Sequence, residues 1–301
     1  MKIRRTKIAV IAAAAALTLA GCGDAGNDDG DNGDGGSDGF SPEVVEDASF
    51  DDGTRMAEIA KDGKVKIGVK FDQPGIGFKS ATSDTPTGFD PNMGKILAAK
   101  LGIPADKIEW VETISDNREP FLQNNTVDFV IASYSITDER RQVVGQAGPY
   151  YVTGQQLLVA ADDDSINGPD DLKGKKVCSV TGSTSIKTVE EQYGATPAGF
   201  DTYSECVEQL KTGSVDAVTT DGAILAGYAA EDPDALKVVG EPFSEERYGI
   251  GYNKDAAGMC EFINTTLEGA FEDGEWEAAF DDSLGKGGID LPETPTLDPC
   301  P

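Results

Sequence analysis

The residues Ser133, Ser135, Thr137 and Arg140 crowd hydroxyls and a guanidinium into one eight-residue stretch, SYSITDER. A planar guanidinium flanked by hydroxyls suits a carboxylate, because Arg donates two parallel charge-assisted hydrogen bonds. The plainer alternative is an Arg on a solvated turn, paired with Asp138 or Glu139. Gly182-Ser183-Thr184 offers a second anion-seeking group, since it follows the strand-like run Lys176 to Val180 and precedes a helical pattern. Orphan N–H groups and the helix dipole both favour an anion there, and Ser183 or Thr184 can cap the same helix. Asp221 ends another strand-like run and precedes an Ala-rich helical one. Its carboxylate suits an ammonium group, or alternatively serves as a helix N-cap.

The elements that must position these groups alternate in type. Lys64 to Lys70, Ile108 to Val111, Phe129 to Ala132, Val177 to Val180, Ala217 to Thr220 and Leu236 to Val239 read as strands. Met93 to Leu101, Ile186 to Tyr193, Ser204 to Lys211 and Met259 to Phe271 carry apolar residues at helical spacing. The alternation implies α/β sheets covered by helices, and the roughly 250 residues after residue 52 suffice for two modest domains. Ligands in such sheets sit beyond the carboxyl ends of the strands.

The ends of the chain carry other signals. Lys2, Arg4, Arg5 and Lys7 precede the apolar segment Ile8 to Ala20 and then Leu19-Ala20-Gly21-Cys22. That apolar run is shorter than the roughly 20 residues needed to span a bilayer, so residues 1–21 read as a secretion signal. Leu-Ala-Gly-Cys resembles a lipobox, and cleavage before Cys22 would expose that thiol for lipidation on the extracytoplasmic face of the cell membrane. Residues 22–52 are dense in Gly, Asp, Asn and Ser and read as a flexible acidic tether.

The formal charge is −29; the leading segment holds four cations and no acid, so the chain without it carries −33. Such a surface repels nucleic acid and anionic lipid. It repels an anionic ligand too, so attraction must come from local cations in a cleft, for which Arg118, Arg140 and Lys70 are available. Arg118 reads otherwise as helix-surface charge and Lys70 as a strand-edge residue. Besides Cys22, the four cysteines Cys178, Cys206, Cys260 and Cys300 can pair in three ways on an exported chain. Without a histidine or a CxxC, no metal site is expected, and no cofactor either.

From about Val65 to Leu284 the chain resembles the polar-amino-acid (family 3) solute-binding proteins of ABC importers, and among them the glutamate-binding lipoproteins of actinobacteria. The resemblance is carried by KFDQPGIGF at 70–78, GFD at 88–90, SYSITDER at 133–140, CSVTGST at 178–184, FDTYSEC at 200–206 and VDAVTTD at 215–221. It implies the two-lobe α/β periplasmic-binding-protein fold of type II, with the ligand in the interlobe cleft. Lobe one would hold residues 53–155 and 251–301 and lobe two residues 156–250, with crossings near Gly154 to Ala160 and Tyr248 to Tyr252. It also implies roles: Arg140 with Ser135 and Ser133 for an α-carboxylate, Gly182, Ser183 and Thr184 as lobe two's contact to the same group, and Asp221 for the α-ammonium. Arg118 would take the side-chain carboxylate of an acidic amino acid, with Lys70 as second partner. The resemblance pairs Cys178 with Cys206, which leaves Cys260 with Cys300. Loops of 28 and 40 residues would each contribute about 3–4 kcal/mol on the chain-entropy model.

The implied function is a monomeric, lipid-anchored binding subunit that captures glutamate by lobe closure and passes it to a membrane permease. Aspartate and glutamine are rival ligands, and a sensor domain is a rival use of the same fold. A dehydratase-like enzyme is the rival from another class, disfavoured by a chain with no histidine to supply acid–base chemistry near neutral pH.

Overall fold

The computed structural model describes residues 39–301. Cys22, the secretion signal and most of the acidic tether lie outside these residues. Helix α1 (Arg55–Asp62) leads into strand β1 (Val65–Val69) and a small hairpin of β2 (Asp72–Gln73) and β3 (Gly77–Phe78). Helix α2 (Phe89–Lys100), strand β4 (Ile108–Glu112), helix α3 (Arg118–Gln123), strand β5 (Phe129–Val130), the single turn α4 (Asp138–Arg141) and the long strand β6 (Gly145–Thr153) follow. The next run is β7 (Gln155–Ala160), β8 (Lys176–Val180), α5 (Thr184–Tyr193), β9 (Thr196–Phe200), α6 (Tyr203–Lys211), β10 (Ala217–Asp221), α7 (Gly222–Glu231) and β11 (Leu236–Val239). Strand β12 (Glu246–Tyr252) and helices α8 (Met259–Asp273) and α9 (Glu275–Phe280) complete the chain's named elements.

Two five-stranded sheets result, in the orders β4-β1-β5-β12-β6 and β11-β7-β10-β8-β9. The chain leaves the first sheet at Gly154 and returns between Val239 and Glu246, because β12 pairs with β6 from Glu246 to Tyr252 and with β5 at Gly251 and Tyr252. Strands β1 and β10 are buried almost throughout, as expected of central strands covered on both faces. Helix ends are set locally: Thr54 caps α1, Ser183 caps α5, and Thr202 with Glu205 forms a capping box on α6. The first lobe's core is strongly aromatic, with Phe89 meeting Tyr150, Tyr151, Trp276 and Phe280 at ring separations of 5.6–6.0 Å. Residues 40–50 of the segment that reads as tether lie on this lobe. Phe40 and Phe50 pack on its core and the Val45 N–H donates to the Ala99 carbonyl, because these few apolar side chains gain burial that the Gly/Asp run before them cannot.

Disulfides join Cys178 to Cys206 and Cys260 to Cys300. The first ties α6 to β8. The second anchors the C-terminal tail to α8, and the tail's Asp298 bonds Arg141 and Arg247.

Candidate functional site

The segment after β5 is bent sharply. Ser133 has φ +42°, unusual for a residue with a side chain, and is held there by its N–H donating to Asp90 at 2.8 Å. Ser135 then forms an isolated bridge with Tyr248 of β12. Thr137 caps α4 by accepting the Arg140 N–H at 3.2 Å, which turns the Arg140 side chain back along the chain to donate to the Ser135 carbonyl at 2.7 Å. Arg140 is therefore buried rather than set on a solvated turn, and its acidic neighbour is Glu119 at 3.3 Å, not Asp138 or Glu139.

Arg118, the first residue of α3, is 2% exposed. It donates to the carbonyls of Ser115, Ala132 and Ser133 in its own lobe and to Gly182 across the cleft at 3.2 Å. Burial and the neighbouring Arg140 charge lower its pKa to about 10. Lys70 emerges just after β1, is 3% exposed, and donates to the Ser115 hydroxyl at 3.0 Å. Burial, with Arg118 adding to it, brings its pKa down to about 7. Both cations are thus desolvated and incompletely paired, which favours an anion beside them.

The second lobe presents the opposing face. Gly182 has φ +77°, and a Cβ there would come within 2.1 Å of the Asp116 side chain of the first lobe. Ser183 accepts the Ile186 N–H as the N-cap of α5, and the Thr184 hydroxyl donates to Glu246 at 3.1 Å. Asp221 precedes α7 without capping it. It accepts the Tyr248 hydroxyl at 2.6 Å instead. Burial, with Glu246 nearby, pushes its pKa up to about 7, and a cation beside it would favour the ionised form.

Arg118, Ser133, Ser135 and Arg140 from one lobe, with Ser183, Thr184 and Asp221 from the other, line one narrow, nearly closed cavity of about 10 Å³. Lys70 adjoins it through Ser115, and Gly182 through its carbonyl, which accepts from both arginines. Cationic groups thus face the Asp221 carboxylate across the closed cleft, an arrangement of charges complementary to a small zwitterion. Ser115, Tyr203 and Thr220 also line the cavity. Asp90, Tyr150 and Tyr248 support it from behind, with Tyr150 donating to Asp90. Asp90, Tyr203 and Thr220 fall inside the motifs GFD, FDTYSEC and VDAVTTD without a role that the sequence assigns them, and nothing in local pattern marks a buried Tyr–Asp pair. Among the described residues no cluster of His, Cys, Asp and Glu is placed to hold a metal.

Two α/β sheets facing each other over a doubly charged cleft define a small-molecule-binding protein of the two-lobe type II fold. The chain belongs to the bacterial extracellular solute-binding proteins, family 3, whose pattern matches residues 65–286. It is 39% identical to the glutamate-binding protein GluB of Corynebacterium efficiens, over 78% of this chain and 83% of that one. It is 38% identical to a glutamine-binding protein of Geobacillus stearothermophilus, over 71% of this chain and 82% of that one. Among solved structures, an ancestral arginine-binding protein bound to glutamine superposes with a TM-score of 0.69 at 38% identity, covering 74% of this chain and 98% of its own. No helix among the described residues is long and apolar enough to cross a membrane.

Proposed function

We propose that the protein captures L-glutamate in the interlobe cleft and delivers it to the membrane permease of an ABC importer, working as a monomer anchored through a lipid on Cys22. The observation that carries this reading is the placement of Arg118, Arg140 and Lys70 on one wall and Asp221 on the other. In it, Arg140 with Ser133, Ser135 and the 182–184 loop takes the α-carboxylate, and Asp221 takes the α-ammonium. Arg118 and Lys70 take the distal carboxylate. Glutamine would leave that cationic wall facing a neutral amide, and aspartate would fall about one methylene short of it, a difference of about 1–3 kcal/mol.

Titration calorimetry of protein stripped of amino acid by unfolding and refolding tests the reading against glutamate, aspartate, glutamine and arginine. A glutamate Kd of about micromolar, near −8 kcal/mol, with weaker binding of the other three, is the expected result. Tighter glutamine than glutamate would reassign the ligand. The lipid is tested separately, by incorporation of a labelled fatty acid into the full chain and its loss in Cys22→Ser.

A further inference from the structure

The corner between β1 and β2 carries an acid that touches the opposite lobe outside the ligand cavity. Asp72 accepts the N–H of Tyr203 at 2.8 Å and that of Ser204 at 3.4 Å. These are the first two residues of α6, so the carboxylate sits on orphan donors at the positive end of a nine-residue helix. The Tyr228 hydroxyl of α7 donates to the Asp72 carbonyl oxygen from the other side. One residue before it, a Cβ at Gly227 would come within 2.4 Å of the Pro74 carbonyl oxygen, so the backbone at Pro74 is pressed against α7.

Two links carry this contact to the ligand. Tyr203 itself lines the cavity, and the Cys178–Cys206 disulfide joins α6 to β8, the strand that runs out toward Gly182. Holding the start of α6 therefore holds the face of lobe two that meets Arg118 and Arg140. Opening the lobes would return Asp72 and the two N–H groups to water.

We propose that Asp72 is an interlobe latch, a positioning residue that favours the closed arrangement without touching the ligand. The inference rests on the cleft being a site that closes on a ligand. A change in the open–closed balance then alters affinity for every ligand by the same factor.

The test uses the full chain in a Cys22→Ser background with spin labels at the exposed positions Lys64→Cys and Lys173→Cys, one on each lobe. Asp72→Ala is expected to lengthen the interlobe distance, both alone and with L-glutamate. Relative to Asp72→Asn, which shares the loss of charge beside Lys70, it should weaken L-glutamate and L-glutamine about tenfold each, leaving their ratio unchanged. Asp72→Asn keeps an acceptor while removing the charge that acts on Lys70, and should retain most of the closure. An unchanged distance distribution in Asp72→Ala overturns the latch. So does a glutamate-to-glutamine ratio in Asp72→Ala that differs from that in Asp72→Asn, which would make Asp72 a ligand contact, or an Asp72→Asn protein as open as Asp72→Ala. If the parent protein binds neither amino acid, the proposed function fails while the distance comparison still decides the latch. Should Asp72→Ala not fold, Tyr228→Phe removes one bond of the same corner and is expected to open the lobes to a smaller degree.

Discussion

The guanidinium groups of Arg118 and Arg140 both lie over the Tyr134 ring, 4.5 and 4.9 Å from its centre, and both donate to the Gly182 carbonyl oxygen. Two buried like charges are brought together on one wall, and the ring face, the shared carbonyl and the single carboxylate of Glu119 offset only part of their repulsion. An anionic ligand would complete the balance. Arg118→Ala is accordingly expected to cost about 2–5 kcal/mol of glutamate affinity and to narrow the preference over glutamine. Arg140→Ala should weaken all α-amino acids alike. Calorimetry with both amino acids separates the two patterns, and full affinity in Arg118→Ala would remove that residue from the site.

Affinity should peak near neutral pH. Asp221, raised to about 7, must lose a proton to meet an ammonium, so Kd rises as pH falls below 7, by up to about tenfold per unit. Lys70, lowered to about 7, must gain one to meet a carboxylate, so Kd also rises above 7. The same raised carboxyls, Asp90 and Asp221, bind protons in the folded state between their ordinary range and about 7. Their contribution to stability is present at acid pH and is lost as pH rises through 7. Calorimetric pH profiles and melting of Asp221→Asn beside the parent protein check both signs.

Tyr248→Phe removes the hydroxyl that donates to Asp221. The carboxylate loses a hydrogen bond to its charged form, so its pKa should rise further. The acid limb of the affinity profile is expected to move to higher pH, with about 1–2 kcal/mol lost at pH 7.

Gly182→Ala tests the close approach of the lobes. Its φ of +77° and the 2.1 Å approach of a Cβ to Asp116 both oppose a side chain. Binding of every ligand should weaken about tenfold or more from the clash between lobes, and the strained φ within lobe two should lower stability by about 1 kcal/mol, which melting and calorimetry read separately.

Replacing Cys178 and Cys206 together by Ser opens a 28-residue loop and should cost about 3 kcal/mol. Denaturant titration measures it. An unchanged midpoint would show that the buried packing of α6 on β8 suffices.

Periodicity exposed most of the parallel strands and several of the helices behind them, since β1, β8 and β10 are short apolar runs that need no partner to be recognised. It did not expose β7 or β9, nor β6 or β12. GQAGPYYVT and ERYGIGY contain Gly and Pro that weigh against a strand in isolation, and only pairing with each other makes them strands. The boundary between lobes was equally hidden, because it depends on which sheet β12 joins.

The chain by itself determined the family, through six ordered motifs, and the chemical types on offer: arginines with hydroxyls, a glycine-led helix start, and an acid after a strand. Those are local properties, written where strand ends meet polar residues. Tertiary structure alone decided that Arg118 and Arg140 share one carbonyl, that Asp221 answers to Tyr248 rather than to its own helix, and that Asp72 reaches α6. Each joins residues 27 to 131 positions apart, and the burial that lowers Arg118 and raises Asp221 exists only once both sheets have met.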